Sequence, residues 1–195
     1  VFANYFAACI VEPLFPSVNH SLNWIKTYTT ASLAEDRTLG SNSIRQPLDN
    51  LRNAGLIYGN IIYNKAPIMM QKLVEIMGKE AYQEGIREYL KTYAYGNATW
   101  DDLIAILDAK SEEDLATFSD VWVNQKGMPH ITFTNRCGQL EIRQRDPLNR
   151  GLLWPQRFQI TFHGNENTTL EVNLTGETYA LTVPIGTEAI LPNTD

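Results

Sequence analysis

The sequence predicts an α+β chain, helical over residues 1–129 and built of short antiparallel strands over residues 130–195. Three observations carry this. Up to Pro129 the apolar residues recur at spacings of three and four, the period of a helix with one buried face. Beyond Pro129 the period falls to two. Turn pairs, Cys137-Gly138, Gly164-Asn165 and Thr175-Gly176, separate the alternating runs.

The elements come in order. Phe2, Tyr5, Phe6, Cys9 and Ile10 mark a first helix that ends at Pro13. "SLNWIKTYTTASLAED" predicts a second, with Ser21 as N-cap. "RTLGSNSIRQPLDN" has no period and reads as a loop. The stretch "IYGNIIYNKAPIMMQKLVEIMG" starts a third helix, apolar at Ile62, Ala66, Met69, Met70, Leu73, Ile76 and Met77 and closed by Gly78. Pro67 suits it if it falls in the first turn, where its missing N–H has no partner to lose. Tyr82, Ile86, Tyr89, Leu90 and Tyr93 share one face of a fourth helix. Thr99 and Asp102 have the spacing of a capping box at the start of a fifth. A sixth runs to Gly127 and Pro129. The runs "HITFTN", "QLEIRQRD", "RFQITFHG", "TLEVNLTG" and "TYALTVPI" then predict a small antiparallel β-sandwich. The chain opens "VFANYFA" without Met and stops at a turn signal, so it reads as cut from something longer, with the last strand of the sandwich missing.

Composition narrows the function. The net charge is -6, and no basic stripe interleaves with aromatics, which argues against nucleic-acid binding. No apolar run is long enough to span a membrane. Cys9 and Cys137 lack partners at metal-ligand spacing and are expected to be unpaired and mostly buried. The sequons at Asn19, Asn97, Asn167 and Asn173 occur at a frequency chance supplies and carry no weight. His20, His130 and His163 are scattered, and no HExxH, P-loop, GxGxxG or nucleophile elbow is present. Asp101-Asp102 and Glu112-Glu113-Asp114 fall at helix starts, where the dipole favours acidic residues without any chemistry.

A succession of short motifs goes further. Tyr63 to Lys65, Met77-Gly78, Gly85 to Tyr89, Tyr95 to Thr99, Asp102, Leu115, Trp122, Gln125, Gly127 and Pro129 stand in the order found in zinc aminopeptidases of the aminopeptidase N family, the gluzincins. The chain resembles the C-terminal part of that family's catalytic domain over about residues 1–130, and the β-domain after it less specifically. Ser41, Ile44, Pro47 and Leu48 are similar to the family's S-H-P-I-x-x-P-V loop. "VFANYFA" is similar to the segment that comes after the third zinc ligand, a glutamate.

The resemblance implies the distal half of a thermolysin-like catalytic domain. It also implies that the HExxH motif and the ligand glutamate lie upstream. No metal ligand is then expected in this chain, and zinc belongs to the parent protein, whose upstream half is the implied partner. The implied reaction is hydrolysis of the N-terminal peptide bond of a peptide by a zinc-activated water, with a tyrosine hydroxyl donating to the oxyanion. Tyr63 matches that tyrosine, and the N-terminus of its helix adds favourable potential. Tyr58 and Lys65 match positions that touch substrate or support the site, and for Lys65 orienting the helix start is the favoured role. Two positions depart from the pattern: Ala66 replaces a glycine, and Ala7 replaces a glutamate two turns after the ligand glutamate. They keep open an alternative, a non-catalytic relative serving as a protein-interaction scaffold.

Overall fold

A computed structural model describes residues 2–193. The chain divides into two units, Val1–Gly127 and Met128–Asp195, the first helical and the second made of strands.

In the helical unit, α1 spans Phe2–Leu14 and carries Pro13 in its last turn. Helix α2 covers residues 20–36 and contains a π turn, Ile25–Thr29. Its cap is Asn19, not Ser21: the Asn19 side chain accepts from the Leu22 N–H at 2.9 Å. A 3-10 turn, Leu51–Leu56, follows the loop and leads towards the next helix. Helix α3 covers residues 61–77 and opens with a second π turn, Ile61–Lys65. Gly78 ends it with φ 84°, a conformation that favours glycine. Helix α4 spans Lys79–Thr92, and α5 spans Trp100–Asp108 behind a complete Thr99–Asp102 capping box. Helix α6 covers residues 115–124 and is capped by Asp114. Leu73, Leu103, Leu107, Leu115 and Met70 form the buried centre of this unit.

The strand unit holds two three-stranded antiparallel sheets. One is ordered β1 (His130–Arg136), β2 (Gln139–Arg145), β5 (Thr178–Thr182). The other is ordered β4 (Thr168–Leu174), β3 (Gln156–Gly164), β6 (Thr187–Pro192). Alternate residues of β2, β3 and β4 point inward, and Leu140, Ile142, Phe158, Ile160, Phe162, Val172 and Leu174 share one apolar cluster. Gly164 sits where β3 shifts register against β6, and a Cβ there would lie 2.2 Å from the Gly186 carbonyl oxygen. A main-chain neighbour cannot rotate aside, so Gly164→Ala is expected to lower stability by about 1–3 kcal/mol in urea unfolding.

The inward alternation of β2 continues into polar residues. Buried Gln144 donates to the Gly176 carbonyl at 2.7 Å and accepts from the Trp154 N–H at 2.9 Å. Asp146 accepts from the Leu148 and Arg150 N–H groups and from the Arg150 guanidinium at 2.7–3.1 Å. Burial alone would raise its carboxyl, but the hydrogen bonds from Arg150 and the main chain outweigh it and hold the group at about 2. A folded pKa below the unfolded one stabilises above the ordinary carboxylate range, and the gain is lost as pH falls towards 2. Asp146→Asn is therefore expected to cost about 2 kcal/mol at neutral pH, with the deficit closing between about pH 4 and pH 2. Urea titrations at several pH values, followed by the far-UV circular dichroism of the chain, measure this.

Candidate active site

The beginning of α3 has to reconcile a proline with a helix. Pro67 falls in the second turn of α3 rather than the first, though it opens the α-helical run Ala66–Met77 behind the π turn. A residue with an N–H at 67 would donate to the Tyr63 carbonyl. That carbonyl instead accepts from the Asn4 side chain of α1 at 3.1 Å. The π turn closes through the Ala66 N–H to the Ile61 carbonyl. The extra residue also shifts the buried stripe, which runs Ile61, Lys65-Ala66, Met70, Leu73, while Ile62, Met69, Ile76 and Met77 are only half-buried.

Tyr63 thus stands in the first turn of α3, 47% exposed, and Tyr58 stands in the connection before it, 61% exposed. Their rings meet at 5.7 Å between centroids, tilted by 55°. The two tyrosines form one exposed aromatic pair beside the positive end of the helix.

Lys65 points the other way. It is 2% exposed, and its Nζ lies 2.7 Å from Asp36 Oδ2 and donates to the Gly127 carbonyl at 3.0 Å. The ammonium also stands 5.9 Å from the centre of the Trp122 ring. Asp36, itself 2% exposed, accepts at Oδ1 from the Ser41 hydroxyl at 2.8 Å and from the Gly127 N–H at 3.2 Å. The network joins the end of α2, the loop after it, the start of α3 and the turn after α6. Asp36 gives no signal in the sequence, because an acidic residue at the end of a helix looks solvated, and its neighbour Glu35 shares that appearance.

Ala66 continues the helix with φ -64° and is 2% exposed, so the departure from glycine leaves the backbone regular. It helps line an apolar cavity of about 240 Å3 with Phe2, Ile44, Met69, Trp100 and Phe118. The cavity can take an apolar group but supplies no chemistry. Tyr5 and Tyr82 meet edge to face at 6.3 Å, and burial pushes both phenols up, so they serve as neutral packing residues.

Two of the histidines make local bonds. His20 bonds the Phe15 carbonyl at 2.8 Å, and His163 pairs with Asn167 at 3.2 Å. Cys9 and Cys137 are free, but both are exposed rather than buried. Among the described residues, no group of three or more His, Cys, Asp or Glu side chains could hold a metal ion, so these residues do not fit a zinc site. No helix among them is long and apolar enough to cross a membrane.

Tyr58 and Tyr63 thus present two phenol groups on one exposed surface at the start of α3, while Lys65 is turned inward. The chain carrying this surface belongs to one family: residues 1–122 match the peptidase family M1 domain. Aminopeptidase M1-B of Oryza sativa subsp. japonica is 30% identical over 156 residues, 79% of this chain and 18% of that protein. Aminopeptidase N of Lactococcus lactis subsp. cremoris is 28% identical over 159 residues, 78% of this chain and 19% of that protein. Probable aminopeptidase 1 of Sulfurisphaera tokodaii is 24% identical over 176 residues, 90% of this chain and 21% of that protein. The chain spans about a fifth of the length of these relatives.

Proposed function

We propose that this chain is part of a zinc-dependent aminopeptidase that hydrolyses the N-terminal peptide bond of peptides, with Tyr63 as oxyanion donor. The observation that carries the reading is the placement of Tyr63: first turn of a helix, half-exposed, backbone held, beside Tyr58. A phenol is a neutral donor at neutral pH and strengthens its hydrogen bond as negative charge grows on the carbonyl oxygen. Tyr58 lies on the same surface and is assigned to contact the peptide. Zinc, when bound, supplies an activated water. Its ligands belong to the upstream half of the catalytic domain, with which this chain would form a thermolysin-like fold; the strand unit would be a β-sandwich domain after it.

The chain by itself is expected to be inactive and to bind no zinc at the site. The test is an aminoacyl-p-nitroanilide assay of the 195-residue chain and of the longer zinc-containing protein, each with and without Tyr63→Phe. Activity in the longer protein that falls with Tyr63→Phe supports the reading; full activity in the variant sinks it. Ala7, where a glutamate is expected, favours a second reading, a non-catalytic relative acting as an interaction scaffold. A longer protein that binds no zinc and cleaves no substrate would establish that one.

A further inference from the structure

We propose that the buried Asp36–Lys65 ion pair is a positioning lock for Tyr63. This rests on the assignment of Tyr63 as oxyanion donor.

Tyr63 is 47% exposed in this chain, and apart from the contact with the Tyr58 ring its direction is set by the backbone turn that carries it. Residues two apart in a helix project from nearly opposite sides. Tyr63 faces solvent and Lys65 faces the interior, so whatever fixes Lys65 fixes the rotation of the turn that presents Tyr63. Lys65 is held by the Asp36 carboxylate, the Gly127 carbonyl and the Trp122 ring. Asp36 is held in turn by Ser41 and the Gly127 N–H. The Tyr63 carbonyl is held separately by Asn4. The pair is therefore anchored on elements other than α3, and these anchors set the rotation of the turn.

A buried ion pair is a weak source of net stability. Removing two charges from water is costly, and apolar residues of similar volume often serve the fold as well or better. What an apolar pair cannot supply is direction, because hydrogen bonds and an ion pair specify an angle that dispersion contacts do not. A donor misplaced by about 1 Å can cost about 100-fold in rate.

The test uses the longer zinc-containing enzyme and the paired substitution Asp36→Asn with Lys65→Met, which removes both charges and leaves neither stranded. The paired variant is expected to fold, with circular dichroism like the parent, to lose about 10- to 100-fold in kcat, and to keep its KM. Combined with Tyr63→Phe, it should cost nothing further, because the lock acts only through that hydroxyl. A readout independent of activity is the 19F resonance of fluorotyrosine at position 63 in the same enzyme. One narrow line is expected in the parent and a broadened or split line in the paired variant. Should the paired variant fail to fold, Asp36→Glu keeps the charges but displaces the pair by one methylene, and the same selective, non-additive loss of kcat is expected. A folded variant with parental kcat, a loss that multiplies with that of Tyr63→Phe, or an unchanged 19F line overturns the lock. If Tyr63→Phe alone keeps full rate, the assignment of Tyr63 fails, and the lock with it; if Tyr63→Phe loses rate and the lock variants do not, only the lock fails.

Discussion

In the zinc-containing enzyme, Tyr63→Phe is expected to lower kcat by about 100- to 1,000-fold, or about 2.7–4 kcal/mol, and to leave KM nearly unchanged. The reasoning turns on when the hydrogen bond forms. The carbonyl oxygen of a bound peptide is neutral and gains little from a phenol that competes with water. The oxyanion of the tetrahedral intermediate gains much more, and only that difference accelerates the reaction. Phenylalanine keeps the ring and hence the contact with Tyr58, whose centroid lies 5.7 Å away. The substitution therefore deletes one hydroxyl and little packing. Steady-state kinetics on an aminoacyl-p-nitroanilide check this directly. A rise in KM at constant kcat would assign Tyr63 to ground-state binding.

The second large effect concerns stability. Lys65→Met alone strands the Asp36 carboxylate in a site where the residue is 2% exposed, with its Oδ2 facing the vacated position at the former 2.7 Å contact. Breaking a buried pair from one side costs about 3–5 kcal/mol. Marginal stability of about 5–15 kcal/mol makes that a large fraction of the total. Adding Asp36→Asn should restore most of the loss, since the amide can still accept from Ser41 and Gly127 without carrying charge. Urea unfolding of the single and paired variants measures both steps. Equal losses in the two would mean that packing of the lysine stem, rather than its charge, dominates.

Much of the architecture is legible without coordinates because it comes from period. The switch at Pro129 from a repeat of 3.6 to one of 2 separates helices from strands, and Gly78 and the Thr99–Asp102 pair mark helix ends whose chemistry is local. The helix caps show the limit of that reasoning. Asn19 and Ser21 are both good caps, and which one serves is decided by where the chain turns, not by residue type. The π turns at 25–29, 61–65 and 120–124 leave no signal that periodicity could register. Each inserts one residue and rotates the turns after it, which is why the buried stripe of α3 includes Lys65 and omits Ile62.

The candidate site divides along the same line. Tyr58, Tyr63 and Lys65 stand close together in the chain, so their order alone is enough to single them out. The sequence by itself determined that a tyrosine would open an amphipathic helix, that strands would begin near residue 130, and that the chain falls in the pattern of one peptidase family. Only the tertiary structure decided that Lys65 turns inward onto Asp36 and Gly127, and that Asn4 serves the carbonyl opposite Pro67. Lys65 and Gly127 are 62 residues apart in the chain, and Asn4 and Tyr63 are 59 apart. A local pattern records which face of an element is apolar. It does not record which distant donor meets which acceptor, because that depends on how the elements pack once they have formed.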